Sequence, residues 1–150
     1  MQILQANLSD AAEILKLQRA AYQSEAELHN DFDIPPLTQS LSELEQEFAR
    51  KKVIKIIDNE KLIASGQVHL EGETCYIGRM AVWPELQGQG IGSKLLSALE
   101  SFFPEAKRIE LFTGENSKSN IAMYQRRGYQ IFKESLLGKT KVLFFERILT

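Results

Sequence analysis

Between residues 87 and 94 the chain reads Gln87-Gly88-Gln89-Gly90-Ile91-Gly92-Ser93-Lys94. Glycine at alternate positions lets backbone amides turn inward with no Cβ in the way. An apolar-striped segment follows, so the free amides of a helix start join the same array, an arrangement suited to phosphate. Two nucleotide motifs fail on residue count. A P-loop needs Gly-Lys-[Ser/Thr] after four intervening residues, and here Ser93 separates Gly92 from Lys94. The fingerprint G-x-G-x-x-G, begun at Gly88, needs a glycine where Ser93 stands. The pattern that fits is Q-x-x-G-x-G, met by Gln87, Gly90 and Gly92.

Other reactive side chains are sparse. Cys75 is the only cysteine, which excludes an internal disulfide and a cysteine-built metal site. It is expected to be a small buried residue of its strand, with no nucleophilic role. His29 and His69 are far apart with no ligand spacing, and no metal is expected. The net charge of −2, with both signs mixed along the chain, leaves no basic footprint for nucleic acid.

These residues need a scaffold, and 150 residues with 43% hydrophobic and 25% charged composition suit one globular domain, read as 1–150. No apolar run approaches the ~18 residues of a membrane helix, and Met1–Gln5 does not read as a signal peptide, so a cytoplasmic location is expected. Residues 2–6 read as extended. Asn7-Leu8-Ser9-Asp10 offers caps to a helix whose Ala11, Ile14, Leu17 and Ala21 share a face. Residues 24–38 read as polar and irregular, with Pro35-Pro36 stopping any helix. Ser40-Leu41-Ser42-Glu43 is a capping box ahead of Leu41, Leu44 and Phe48 on one face.

The periodicity then changes. Residues 53–57, 62–70 and 74–82 read as an antiparallel meander with turns at 58–61 and 71–73. After the glycine stretch comes a helix striped by Leu95, Leu96, Leu99 and Phe102. Residues 108–113 read as a strand, 117–127 as a helix, and 129–133 and 141–147 as strands. Strand–helix–strand across 74–113 implies a parallel pair with a right-handed crossover. The fold class is therefore a mixed α/β sheet with helices on its faces.

In this order the motifs resemble the GNAT superfamily of N-acetyltransferases. Gln87, Gly90 and Gly92 match its pyrophosphate loop. Met80-Ala81-Val82-Trp83-Pro84 is similar to the family's "V-x-P" strand end, and Asn120-Ile121-Ala122-Met123-Tyr124-Gln125-Arg126-Arg127-Gly128-Tyr129 to its "N-I-x-L-Y-x-x-x-G-Y" segment. The resemblance covers essentially the whole chain. It implies a mostly antiparallel sheet of six to seven strands with one splayed parallel pair and about four helices.

It also implies acetyl-CoA as co-substrate, and a primary amine of a small molecule or peptide as acceptor, attacking directly in a ternary complex. Backbone groups of Met80, Ala81 and Val82 would pair with pantetheine. Amides of Gln87, Gly88, Gln89, Gly90, Ile91, Gly92 and Ser93 would hold the pyrophosphate, with Asn120 beside them. Tyr124 would protonate or hydrogen-bond the leaving thiolate. The strand glutamate of many relatives is missing from Tyr76-Ile77-Gly78-Arg79-Met80. Glu110, expected to face solvent, and Glu25, Glu27, His29, Asp31 and Asp33, expected on the surface, are the candidate bases. The four carboxylates of 24–33 would favour a cationic acceptor, whereas an inward Arg79 would suit a carboxylate-bearing one. Arg126 and Arg127 read as a solvated face if taken alone. The alternatives are an acetyl-CoA-binding regulatory module without turnover, and an acyltransferase for longer acyl chains with a wider cleft near Met80 and Phe112. Val142–Phe145 is expected to complete the core, with homodimer pairing as the alternative.

Overall fold

The computed structural model describes residues 1–150. The elements run β1 (Gln2–Gln5), α1 (Ala11–His29), α2 (Pro35–Thr38), α3 (Leu41–Glu47), β2 (Lys52–Asp58), β3 (Lys61–Glu71), β4 (Thr74–Val82), α4 (Ile91–Glu100), β5 (Arg108–Gly114), α5 (Lys118–Arg126), β6 (Gln130–Leu137) and β7 (Thr140–Ile148). Short 3₁₀ turns, Leu8–Asp10 and Pro84–Leu86, precede α1 and α4.

One seven-stranded sheet has the order β1-β2-β3-β4-β5-β7-β6. All neighbours are antiparallel except β4 and β5. The β2–β3 turn is tight because Asn59 and Glu60 both take positive φ, 50° and 66°, the geometry that matches strand twist in two-residue hairpins. Side chains alternate across the sheet, so β2 feeds two cores. Ile54 and Ile56 join Leu95, Leu96 and Leu99 of α4, while Val53 joins Ile14, Leu17 and Ala21 of α1 and Leu44 of α3. Val142, Leu143 and Phe145 are buried, and β7 is interior to the sheet between β5 and β6, so these residues complete the core.

Four expectations need correction. Residues 24–29, predicted irregular, are the last turns of α1, which ends at Asn30 in the left-handed conformation (φ 48°). Their polar side chains serve neighbouring loops rather than marking a break. Pro35 and Pro36 do not stop a helix; they begin α2, where a missing N–H is harmless and the fixed φ is already helical. The Ser40 capping box forms as expected, but Leu41 is exposed while Leu44 is fully buried. Phe102 lies beyond the end of α4 and packs against the core from the following loop. No helix is long and apolar enough to cross a membrane.

Candidate functional site

The parallel ladder between β4 and β5 is short, pairing Thr74 with Arg108, Cys75 with Ile109 and Tyr76 with Glu110. Beyond Tyr76 the two strands part. Ala81 and Val82 still pair with Ser65 and Ala64 of β3, so their other backbone edge faces the gap. Just before that stretch the β3–β4 register shifts, and Arg79 takes a positive φ of 52°. A bulge of this kind re-aims side chains and backbone groups at a strand end.

The gap leads into the glycine stretch. Gly88 and Gly90 hold φ of 80° and 83°, values that L-residues with a Cβ adopt only under strain. Gly90 is the N-cap of α4 with no side-chain cap. No amide from Gly88 through Ser93 donates to a backbone carbonyl outside the regular ladders, and the first amides of a helix have no partner inside it. The result is a run of free N–H donors at the positive end of the α4 dipole, which favours an anion. Gln87 turns its side-chain amide back onto the Val82 carbonyl at 3.2 Å, tying the loop to the strand end. Buried Ile91 anchors it to the core.

Arg127 is no solvated residue. It donates to Ser93 Oγ (2.9 Å), Ser97 Oγ (2.6 Å) and Glu100 Oε1 (2.6 Å). Tyr129 donates to the other oxygen of Glu100 at 2.7 Å. This network fixes the start of α4 to the end of α5, while Arg126 is exposed.

Tyr124 of α5 is buried, with Phe145 edge-on at 5.3 Å between ring centroids and Tyr129 at 6.1 Å. Its hydroxyl makes no hydrogen bond within the chain. Burial first, then Tyr22 and Glu25, push this phenol's pKa well above its ordinary value. The ring therefore belongs to the α4-side core while its polar end senses α1, as the parting of the strands permits. Asn120 donates to Thr113 Oγ1 at 3.2 Å, holding the first turn of α5 to β5. Phe112 is exposed and Met80 partly so.

Three of the residues between 25 and 33 proposed as bases, Glu25, His29 and Asp31, have other work. Glu25 accepts from Ser117 Oγ, just ahead of α5. His29 contacts the Glu25 carbonyl through Nδ1 at 2.8 Å and accepts the Asn116 amide at Nε2 (3.0 Å). Its ring fills the space over Gly114, where a Cβ would come within 2.2 Å of Nε2. Glu27 and Asp33 are exposed. Buried Asp31 takes hydrogen bonds from Thr140 Oγ1 (2.8 Å) and from the amides of Lys139 and Asp33 (3.2 Å each). Those donors, Thr140 foremost, hold its carboxyl below the usual range despite burial. A depressed pKa contributes stability that is present above the unfolded value and is lost as pH falls through the folded one. An Asp31→Asn variant is thus expected to lower the urea midpoint near neutrality and to flatten its decline below about pH 4. Parallel midpoint curves for both proteins would refute this.

Glu110 does not face solvent freely. Arg108 binds it at 2.9 Å and binds Glu146 at 2.8 Å. Cys75 is fully buried, and burial pushes its thiol up to about 11, in keeping with a packing role.

Sequence reasoning missed Glu47, Gln67 and Tyr22. Glu47 of α3 is buried and lies 4.0 Å from the Arg79 guanidinium. Its Oε1 accepts from Gln39 Nε2, whose own oxygen accepts from Gln18 of α1 at 3.1 Å. Its Oε2 has no hydrogen-bond partner, and neither does Oε1 of buried Gln67. Tyr22, beside Arg79, has its phenol pushed up to about 12 by burial, with Arg79 opposing. The available signal was spacing: Glu47 falls three residues after Leu44, on the face that α3 buries.

The sequence profile of the "Acetyltransferase (GNAT) family" matches residues 12–129. An S-alkylcysteine N-acetyltransferase of Bacillus subtilis (strain 168) is 30% identical over 141 residues, covering 86% of this chain and 78% of that protein. Among solved structures, the PaiA N-acetyltransferase of Thermoplasma acidophilum, in complex with coenzyme A, matches with a TM-score of 0.83 at 13% identity, over 98% of each chain. The ribosomal-protein-alanine N-acetyltransferase of Brucella melitensis matches with a TM-score of 0.78 at 18% identity, over 99% of this chain and 100% of the other. At such identities these two likenesses concern the fold.

Proposed function

We propose that this chain, which belongs to the acetyltransferase (GNAT) family, moves an acetyl group from acetyl-CoA to a primary amine of a small molecule or peptide by direct attack. One observation carries the reading. The β4–β5 ladder stops at Tyr76 and Glu110, and the open edge of β4 is followed, after the short turn Pro84–Leu86, by the free amides of Gly88–Ser93. An extended amide chain ending in a pyrophosphate suits that sequence of features, the chain adding to a strand edge and the anion meeting the helix start. Pantetheine followed by pyrophosphate has this order.

In this reading backbone groups of Met80, Ala81 and Val82 pair with the pantetheine. The amides of Gly88–Ser93 hold the pyrophosphate, without that of Gln87, which donates to the Pro84 carbonyl at 3.3 Å, and Asn120 lies at the cofactor's edge. A free β4 amide at the bulge polarises the thioester carbonyl and stabilises the oxyanion. The neutral amine nitrogen attacks the carbonyl carbon, its excess proton passes to a base or to water, and the C–S bond breaks to release CoA. The hydroxyl of Tyr124 then meets the departing sulfur. The name of the B. subtilis relative puts S-alkylated amino acids among the first amines to test.

The test is calorimetric titration of acetyl-CoA and of ATP, followed by thiol release in the presence of amines. Binding of acetyl-CoA but not ATP, with amine-dependent release, is expected. Binding without release for any amine would support a regulatory module instead. No acetyl-CoA binding would remove the whole reading.

A further inference from the structure

The pair Arg79 and Glu47 is only loosely engaged. The Arg79 side chain is only 20% exposed, and its nearest carboxylate oxygen, on Glu47, is 4.0 Å away, beyond hydrogen-bond range. None of the guanidinium donors makes a hydrogen bond within the chain, although the group carries five. Every other arginine with an ion-pair partner, namely Arg108, Arg127 and Arg147, also hydrogen-bonds to protein. Glu47 is held from behind by the Gln18–Gln39 amide relay, while its buried Oε2 has no hydrogen-bond donor and only the Lys51 ammonium near it, at 4.0 Å. Leaving such a carboxylate oxygen unpaired is costly.

Position gives the pair meaning. Arg79 precedes Met80, at the bulge where β4 turns its edge to the gap, and holds a left-handed φ of 52°. A residue with a Cβ is strained there, and such strain concentrates at ligand sites. Gly78, on the same bulge, leaves open space where a Cβ would stand. By register Gln67 lies opposite Gly78 and Val53, on the sheet face that α1 and α3 cover. Its buried, unpartnered Oε1 thus shares a face with Arg79, Glu47 and Tyr22.

We infer that this cluster reads the acceptor: Arg79 takes a carboxylate and the negative charge of Glu47 beside it favours the neighbouring amine, so the acceptor is an α-amino acid. The inference rests on the acetyl-transfer reading above and names the substrate class of that site. An amine without a carboxylate leaves Arg79 facing it unpaired. An acid without an amine meets the Glu47 charge. Only a ligand with both signs a few bonds apart satisfies both groups, a discrimination built from repulsion as much as attraction. The planar guanidinium suits a carboxylate bidentately, which a lysine cannot reproduce. Tyr22, a protonated phenol at neutral pH, can add a donor to the same carboxylate. Of the four carboxylates of residues 24–33 only Glu25 lies within electrostatic reach of Tyr22, and it accepts from Ser117, while Asp31 is bonded to Thr140 and Glu27 and Asp33 are exposed. A polycation acceptor loses its main support.

The experiment measures acetyl transfer to L-methionine, L-phenylalanine, L-lysine and S-methyl-L-cysteine, each beside the amine lacking its carboxylate. Wild type, Arg79→Met and Arg79→Lys are compared, with acetyl-CoA affinity titrated on the same preparations. Wild type should prefer at least one amino acid over its decarboxylated partner. Arg79→Met should raise the KM for that amino acid about thirtyfold, abolish the preference and leave acetyl-CoA affinity unchanged. Arg79→Lys should recover only part of the loss. Equal use of acid and amine, use of neither, or a preference that survives Arg79→Met overturns the carboxylate site. Acetyl-CoA binding in those cases shows the cofactor reading still standing; its absence shows that reading failing too.

Discussion

A Gly90→Glu variant is expected to lose acetyl-CoA affinity by about a thousandfold while remaining folded, a change of about 4 kcal/mol in binding. Two effects act together. Gly90 holds φ of 83°, so any side chain there strains the backbone by about 1–2 kcal/mol, and relief of that strain moves the amides of Gly88–Ser93 out of line. The added carboxylate also sits inside an array suited to an anion, where it competes with the pyrophosphate and repels it. Folding should survive, because a Cβ at Gly90 meets nothing within 4 Å. Gly90→Asn separates the two effects. Asparagine tolerates the left-handed region and adds no charge, so it should retain most of the affinity. Calorimetric titration, with thermal melts to confirm folding, reads all three proteins. Wild-type affinity in Gly90→Glu would place the pyrophosphate elsewhere.

The features legible in the sequence are those written locally. Thr74–Val82 was bounded correctly because Gly72 turns the chain before it and Trp83-Pro84 ends it. The glycine stretch was legible because its spacing is itself the geometry. The mixed sheet followed from a meander and a strand–helix–strand crossover. What stayed hidden depends on tertiary partners. The last turns of α1 carry Ser24, Glu25, Glu27 and His29, which look like loop residues until Ser117 and Asn116 are seen to receive them. Arg127 looks like a surface charge until the fold brings Ser93, Ser97 and Glu100 against it. β4 carries no carboxylate between Tyr76 and Met80, and the buried one beside Arg79, Glu47, arrives from α3. A one-dimensional motif cannot show a charge delivered by another element.

Tyr124→Phe is expected to lower kcat by about a hundredfold and to leave the KM for acetyl-CoA within a factor of about three. The ring contacts with Phe145 and Tyr129 persist in phenylalanine, so packing and cofactor geometry should hold. What is lost is the hydroxyl, which has no partner within the chain. Its pKa decides the kind of help it gives. Burial raises this phenol further above an ordinary thiol, which ionises near about 8.5. Full proton transfer to the thiolate is uphill on that comparison, so in the proposed reaction the hydroxyl would act as a hydrogen-bond donor to developing charge on sulfur. The net proton gained by sulfur would be the one that the attacking nitrogen sheds, leaving the phenol protonated. A donor to a charged acceptor is worth about 1.5–3 kcal/mol, hence the hundredfold figure. The raised pKa also fixes the pH dependence: the phenol stays protonated through neutrality, so the wild-type profile of kcat should carry no Tyr124 limb below about pH 10. An unchanged kcat in Tyr124→Phe would remove the hydroxyl from the chemistry. A raised acceptor KM at constant kcat would move it to the amine's side of the cleft.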